Sequence, residues 1–92
     1  MADSVLQRTV TITNQRGLHA RAAAKFAKVS AEFDAEISVS RGGQTVSGRS
    51  IMGLMMLAAA IGCDVDLETS GTDAEAAMTA ICQLIDDKFG EE

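Results

Sequence analysis

The sequence predicts an α+β protein, an open-faced β-sandwich in which a four-stranded, mainly antiparallel sheet carries three helices on one face. Three observations support this fold class. Every segment with strand character alternates apolar and polar side chains, so only one face of the sheet needs to be covered. The segments with helical character repeat apolar residues every three or four positions. The order along the chain is β-α-β-β-α-β-α, and helices packed on one side of an antiparallel sheet satisfy both patterns.

The first half of the chain predicts a strand, a helix and a hairpin. The segment LQRTVTITN alternates as a half-buried strand, and a helix is expected to begin at Ala20, after a turn at Arg16-Gly17. The apolar stripe of that helix comprises Ala23, Phe26, Ala27, Ser30 and Phe33. AEISVS is a second strand, the glycines of RGG allow a tight turn, and QTVS is the returning third strand.

The second half predicts a helix, a strand and a last helix. Composition favours a helix from Ser50 to Ala60, and DVDLETS alternates as a strand. Thr72, followed three residues later by Glu75, is typical of a capping box at the start of the last helix, TDAEAAMTAICQLIDDKF. The apolar stripe of this helix comprises Ala77, Met78, Ile81, Leu84, Ile85 and Phe89.

Length and composition predict a single domain over residues 1–92, because the chain is 47% hydrophobic and shows no linker or repeat. Cys63 and Cys82 match no zinc-binding or CxxC spacing, so we expect no metal. Because the N-terminal segment does not have the apolar region of a secretory signal, we expect reduced thiols and a cytoplasmic protein, without a cofactor. The longest apolar run, residues 51–63, is shorter than the roughly 20 residues that a membrane helix needs. We therefore expect a protein that does not bind membranes. We also expect a monomer, although no feature of the sequence determines the oligomeric state.

Charge is distributed unevenly along the chain. Residues 4–31 contain no Asp or Glu but five basic residues, whereas residues 60–92 contain nine acidic residues and one Lys. One part of the molecule is therefore suited to a small anion or an acidic protein surface, although charge runs are often only solvated helix faces. We expect no nucleic-acid partner, because the net charge is −5 and the chain has no tyrosine or tryptophan on which bases could stack.

The only histidine, His19, lies in the segment NQRGLHARAAAKF, at the expected N-cap of the first helix. Histidine is not a favoured N-cap residue, which suggests a functional reason for its position. The free N–H groups and the helix dipole at such a site stabilise an anion, and Arg21 can add a charged donor. An imidazole nitrogen can also attack phosphorus. The alternative is an ordinary surface histidine at the end of a loop.

The interaction free energies available at the His19 site favour a carrier over a catalyst. The helix terminus stabilises a bound anion by about 0.3–2 kcal/mol, and a charge-assisted hydrogen bond from Arg21 stabilises it by about 1.5–3 kcal/mol. Enzymes usually lower a barrier by about 8–23 kcal/mol. We therefore expect His19 to hold a phosphoryl group while partner proteins supply the rest of the active site.

The helix in SGRSIMGLMMLAAAIG is apolar around nearly its whole circumference, so not all of its side chains can be buried in so small a protein. Some of Ile51, Met52, Met55 and Met56 should form an exposed patch for partner proteins. Ser50 is expected to cap this helix. A phosphate on Ser50 would add negative charge beside the patch and repel an acidic partner.

On the motifs GLHAR and GRSIMGLMMLA, the chain resembles HPr, the histidine-containing phosphocarrier family of the phosphoenolpyruvate-dependent phosphotransferase system. The resemblance covers essentially the whole chain and implies strand order 1-4-2-3. It implies that His19 is phosphorylated, at Nδ1, by phospho-Enzyme I and passes the group to a IIA-type protein, with Arg21 attending the phosphoryl group. It also implies that a kinase, and a matching phosphorylase, act on Ser50 in some lineages. The residues implied to dock Enzyme I and IIA proteins are Ile51, Met52 and Met55, with Lys28 at the rim.

One departure concerns Ala22, which stands where the family usually has proline. Alanine leaves one more free N–H near the anion site, so the lifetime of the phosphorylated state could differ. The segments GRSIMGLMMLAA and DDKFG resemble the nitrogen-related branch of the family, whose output is regulatory rather than sugar uptake.

Two rival functions remain beside phosphoryl relay. The first is a regulatory module that does not relay phosphoryl groups and acts by protein binding through Ile51, Met52 and Met55. The second is a small-molecule-binding regulatory domain of ferredoxin-like type, which has similar strand and helix content.

Overall fold

A computed structural model of the chain describes residues 5–91, so residues 1–4 and 92 of the expected domain lie outside the described part. The predicted element order is confirmed. The elements are β1 (Val5–Thr11), α1 (Ala20–Ser30), β2 (Glu36–Arg41), β3 (Gln44–Ser47), α2 (Ile51–Met56), β4 (Asp64–Ser70) and α3 (Ala74–Asp86), followed by a 3₁₀ turn (Lys88–Gly90).

The four strands form one sheet with the spatial order β1-β4-β2-β3, and every neighbouring pair is antiparallel. The last strand in sequence, β4, therefore lies inside the sheet, between β1 and β2. Val65 of β4 is opposite Val10 of β1, and Leu67 is opposite Val39 of β2. This register places the apolar positions of three strands side by side on one face.

The two faces of the sheet differ as the alternation predicts. On the covered face, Val39, Val65 and Leu67 are buried in one core with side chains from all three helices. On the open face, the hydroxyl of Thr9 donates to Asp66 at 2.6 Å, and that of Thr11 donates to Asp64 at 2.6 Å. Polar cross-strand pairs thus cover the face that the helices leave exposed.

The helix α2 is shorter than the sequence predicts, since it ends at Met56 and not at Ala60. Ala58 has φ 53°, a left-handed conformation that cannot continue an α-helix. The carbonyl of Ala59 then accepts a hydrogen bond from the N–H of Leu18 at 2.9 Å. A tertiary contact has therefore replaced the last turn that alanine would favour locally.

The ends of α3 also differ from the prediction. The prediction of a capping box from Thr72 to Glu75 is wrong, because the helix begins at Ala74 with Asp73 as its N-cap residue. The carboxylate of Asp73 instead accepts a hydrogen bond from the backbone N–H of Asp34 at 2.8 Å. Phe89 is buried as expected, but it lies in the 3₁₀ turn after the helix has ended.

None of the helices within residues 5–91 has the length and apolar character required to span a bilayer.

Gly17 fixes the loop between β1 and α1 against the segment that follows α2. Its φ of 64° is left-handed, and a Cβ atom at this position would overlap the carbonyl of Ala59 and the backbone of Ala60. The neighbouring N–H of Leu18 donates to that same carbonyl. Glycine is needed here for both its conformation and its lack of a side chain.

Gly17→Ala should destabilise the protein far more than Gly42→Ala. Both glycines are left-handed, and alanine there costs about 1–2 kcal/mol, but the space around Gly42 is open. At Gly17 the overlap with backbone should add about 1–3 kcal/mol. Urea unfolding of the two variants measures the difference, and equal destabilisation would contradict the close approach to Ala59.

Candidate functional site

His19 is the N-cap residue of α1, as the sequence predicts. Its backbone is extended, with φ −81° and ψ −178°, and its side chain makes no capping hydrogen bond. The first helical hydrogen bond runs from the N–H of Ala23 to the carbonyl of His19 at 2.8 Å. The N–H groups of Ala20, Arg21 and Ala22 therefore precede the ladder and carry the positive end of the helix dipole.

The imidazole of His19 lies at the surface and not in the core, since 24% of its side chain is exposed. Its Nε2 lies 2.8 Å from Oε2 of Glu91. An ionised carboxylate only accepts hydrogen bonds, so Nε2 is the donor in this contact. The proton on Nε2 leaves Nδ1 of the neutral ring with its lone pair.

The carboxylate of Glu91 has two further donors. Nδ2 of Asn14 lies 3.0 Å from Oε2, and the backbone N–H of Arg16 lies 3.3 Å from Oε1. Burial would raise the pKa of Glu91, but hydrogen bonds from Asn14, His19 and Arg16, with the charge of His19, lower this pKa below its ordinary value of 4.5. Glu91 is therefore ionised at neutral pH.

Asn14 joins the loop to the chain end. Its side chain is 1% exposed, and Nδ2 also donates to the carbonyl of Gly17 at 2.8 Å. Only the NH₂ group of the side-chain amide can donate to these two oxygens, so the contacts determine which amide atom is the nitrogen. Asn14 thus holds the carboxylate of Glu91 against the turn that precedes His19.

The backbone of the chain end is shaped to present Glu91. Lys88, Phe89 and Gly90 are all left-handed, with φ between 55° and 74°. The ring of Phe89 is 2% exposed, and Nζ of Lys25 donates to the carbonyl of Phe89 at 2.7 Å. The anchored phenylalanine and this hydrogen bond to α1 keep the end of the chain beside the N-terminal end of the helix.

The sequence reasoning found His19 but missed Glu91 and Asn14. Glu91 is 72 residues from His19, and it follows the predicted last helix, which ends at Phe89. Asn14 stands in the segment NQRGLHARAAAKF, where an asparagine indicates no more than a turn before the helix. A glycine and an acidic residue after an apolar anchor, in KFGE, are the only local signals.

Arg21 and Lys28 are exposed on α1. Arg21 is the second residue of the helix, within the turn that carries the free N–H groups. Lys28 lies seven residues further on, close to two helical turns, and thus on the same side of the helix as Arg21. Their expected roles, attending the phosphoryl group and bordering the docking surface, stay predictions.

An exposed apolar patch lies on α2 and the segment after it. Met52 is 71% exposed and Met56 is 66% exposed, whereas Leu54 is buried. We define the apolar patch as Ile51, Met52, Met55, Met56 and Ile61, all of which are exposed. The exposure expected for α2 is therefore found, but Ile61 was not among the expected residues.

Ile61 is the member of the apolar patch that lies near the histidine site. It lines a surface cavity together with Asn14, Lys88 and Glu91. The next residue, Gly62, donates its N–H to the carbonyl of Ile12 at 2.8 Å, which ties this segment to the end of β1. A partner that covers the patch at Ile61 therefore also reaches the surroundings of His19.

Ser50 caps α2, as expected. Its hydroxyl oxygen accepts a hydrogen bond from the N–H of Gly53 at 2.9 Å. The guanidinium of Arg49 donates to the carbonyl of Phe33 at 2.8 Å. Capping accounts for the serine, and its phosphorylation stays a prediction.

Within residues 5–91, no three His, Cys, Asp or Glu side chains are grouped so that they could hold a metal ion.

Comparison with known proteins agrees with this geometry. A family model described as the PTS HPr component phosphorylation site matches residues 6–87. The chain is 51% identical to the phosphocarrier protein HPr of Cupriavidus necator, over 95% of this chain and 98% of that one. It is 50% identical to the phosphocarrier protein NPr of Shewanella violacea, over 94% of each chain.

Among solved structures, the fold matches an HPr from Thermoanaerobacter tengcongensis with a TM-score of 0.90 and 41% identity. That match covers 95% of this chain and 98% of the other.

The pH dependence of stability tests the contacts of Glu91. Because the pKa of Glu91 is lower in the folded state, its contribution to stability is complete well above 4.5 and is lost as the pH falls through the folded-state pKa. Glu91→Gln keeps the size of the side chain but cannot titrate. The free energy of unfolding is measured in urea at a series of pH values below neutral. As the pH is lowered, this free energy should decrease more steeply for the wild type than for Glu91→Gln. Parallel curves would show that the contacts do not stabilise the charged form.

Proposed function

The chain belongs to the HPr family of phosphocarrier proteins, and we propose that it carries the phosphoryl group on Nδ1 of His19. In this proposal, phospho-Enzyme I, charged from phosphoenolpyruvate, donates the group and a IIA-type protein removes it. The observation that carries the assignment is the 2.8 Å contact between Nε2 of His19 and Glu91, on a ring that is partly exposed. That contact leaves the lone pair on Nδ1.

The local electrostatics support a held phosphoryl group. The N–H groups of the first turn of α1 and the helix dipole favour negative charge at this end. The guanidinium of Arg21, in the same turn, is a permanent cation suited to phosphate oxygens. Together these groups supply a few kcal/mol, which is enough to stabilise the group and too little to drive its transfer.

We accordingly propose a stoichiometric carrier and not an enzyme. The nucleophile and its anion site lie at an open surface, so the partner proteins complete the active site during each transfer. The proposed location is the cytoplasm, and the proposed state is a monomer.

The apolar patch is the proposed docking surface for both Enzyme I and the IIA-type protein. Methionine side chains adapt to different partners, which suits a surface that must be used twice in one cycle. The exposed cations Arg21 and Lys28 on α1 favour partners with an acidic rim. Ile61 lines a cavity together with Glu91, which supports a docking surface that extends towards His19, and in this proposal donor and acceptor use it in turn.

Regulation is a second component of this proposal. Identity to an HPr and to an NPr is nearly equal, at 51% and 50%, so both sugar uptake and nitrogen-related regulation are compatible with the similarity. A regulatory module without relay is no better supported, because relatives of both names are phosphocarriers. Phosphorylation of Ser50 by a kinase would add charge beside the apolar patch and weaken docking.

His19→Ala should abolish phosphorylation. With Enzyme I and phosphoenolpyruvate, the wild type should gain the mass of one phosphoryl group, and the adduct should be lost in acid and kept in base. The variant should gain no such mass, because it has no imidazole. Intact-mass measurement checks this result, and equal labelling of the variant would place the acceptor elsewhere.

Met52→Glu should weaken docking without changing the chemistry at His19. A charge within the apolar patch should raise the KM of Enzyme I for this protein about tenfold or more, as loss of a central interface contact typically costs about 2 kcal/mol. Thr79→Glu makes the same charge change on the exposed surface of α3 and serves as the matched control. Steady-state phosphorylation assays compare the two. An unchanged KM for Met52→Glu would exclude this residue from the interface.

A further inference from the structure

Glu91 makes contacts that a merely exposed carboxylate at a chain end would not need. It accepts from the ring of His19, from a nearly fully buried asparagine and from the backbone N–H of Arg16. The donors come from the loop before α1 and from its N-cap. All three lie at the proposed phosphorylation site.

We propose that Glu91 is the positioning residue of the relay: it fixes His19 in the Nε2–H tautomer, so that Nδ1 is the nucleophile, and balances the charge of the ring after transfer. This inference rests on the proposed function. It assigns a role to a carboxylate that touches the imidazole and not the phosphoryl group.

The proton balance of the reaction explains why the tautomer matters. A neutral imidazole with its proton on Nδ1 has no electron pair there for phosphorus, whereas the Nε2–H form does. When Nδ1 attacks, the new N–P bond forms, and the bond from phosphorus to the donor breaks with its electron pair returning to the donor. The proton stays on Nε2 throughout. The second transfer reverses these steps on the ring.

The imidazole ring becomes cationic during the transfer, because it then carries a hydrogen on Nε2 and phosphorus on Nδ1. The carboxylate of Glu91, 2.8 Å from Nε2, faces that positive charge. The buried aspartate of a Ser-His-Asp triad has the same two effects on its histidine, holding the tautomer and stabilising the imidazolium. The carboxylate and the phosphoryl group are on different ring nitrogens, so the two anions do not compete for one position.

The chain end is held by groups other than the carboxylate itself. Phe89 is buried, and its carbonyl accepts from Nζ of Lys25. Glu91→Ala should therefore remove the carboxylate while the segment stays in place, which makes the substitution a test of chemistry and not of folding.

The test uses the full chain labelled with ¹⁵N in histidine, together with Glu91→Ala, Glu91→Gln and the control Glu36→Gln. Glu36 is an exposed carboxylate on β2, and its substitution makes the same charge change away from the site. Long-range ¹H–¹⁵N spectra of the neutral ring report which nitrogen carries the proton. The wild type and the control should show only Nε2–H, and Glu91→Ala should show a mixture of both tautomers.

Kinetics supply the second readout. Glu91→Ala should lower the kcat for phosphorylation by Enzyme I about tenfold or more, the loss expected for a charge-assisted hydrogen bond, while KM stays unchanged because the apolar patch is intact. Glu91→Gln, whose amide oxygen can still accept from Nε2, should recover part of the rate.

Unchanged spectra and an unchanged kcat in Glu91→Ala would overturn the inference. A wild-type chain that is not labelled on His19 would instead overturn the proposed function, and the spectra would still decide whether Glu91 sets the tautomer.

Discussion

The contact between Nε2 of His19 and the carboxylate of Glu91 is the interaction on which the proposed chemistry of this protein depends. It joins two parts of the chain that are 72 residues apart, so it exists only in the folded state. The fold creates it by placing the chain end after α3 beside the loop that follows β1. The buried ring of Phe89 and the left-handed backbone at Lys88 and Gly90 complete that path. A surface imidazole thereby gains a defined protonation pattern without being buried.

A second constraint links this site to the proposed docking surface. Gly17 lets the loop before α1 approach Ala59 so closely that no side chain fits, and the N–H of Leu18 donates to the same residue. The segment after α2 is held there and presents Ile61 beside Asn14 and Glu91. An exposed apolar side chain thus lies next to Glu91, so the proposed docking surface and the proposed site of chemistry meet at Ile61.

Patterns that act over a few residues were sufficient to predict the strands, the start of α1 and the cap at Ser50. The alternation in DVDLETS, for example, depends only on which face of β4 is covered. The failures occurred where distant residues compete with local preference. Ala58 favours a helix by itself, but the contact of Ala59 with Leu18 ends α2 early. Asp73 and not Thr72 is the N-cap residue of α3, and its carboxylate accepts a hydrogen bond from the N–H of Asp34, which is 39 residues away.

The same distinction, between local patterns and contacts made by distant residues, applies to the histidine site. His19 is visible in the sequence because it is the only histidine and stands where a cap residue is expected. Glu91 is not visible, because no local pattern indicates which part of the chain an acidic side chain after the last helix will contact. Pairing over such a distance follows from the sheet order β1-β4-β2-β3 and from the turn at Phe89, and both are properties of the assembled fold.

The most direct measurement is a phosphorus–nitrogen correlation spectrum of the phosphorylated protein with ¹⁵N in its single imidazole. Our account predicts that phosphorus is coupled to Nδ1 of His19 while Nε2 retains its hydrogen. Phosphorus coupled to Nε2, or to no nitrogen of this ring, would contradict it.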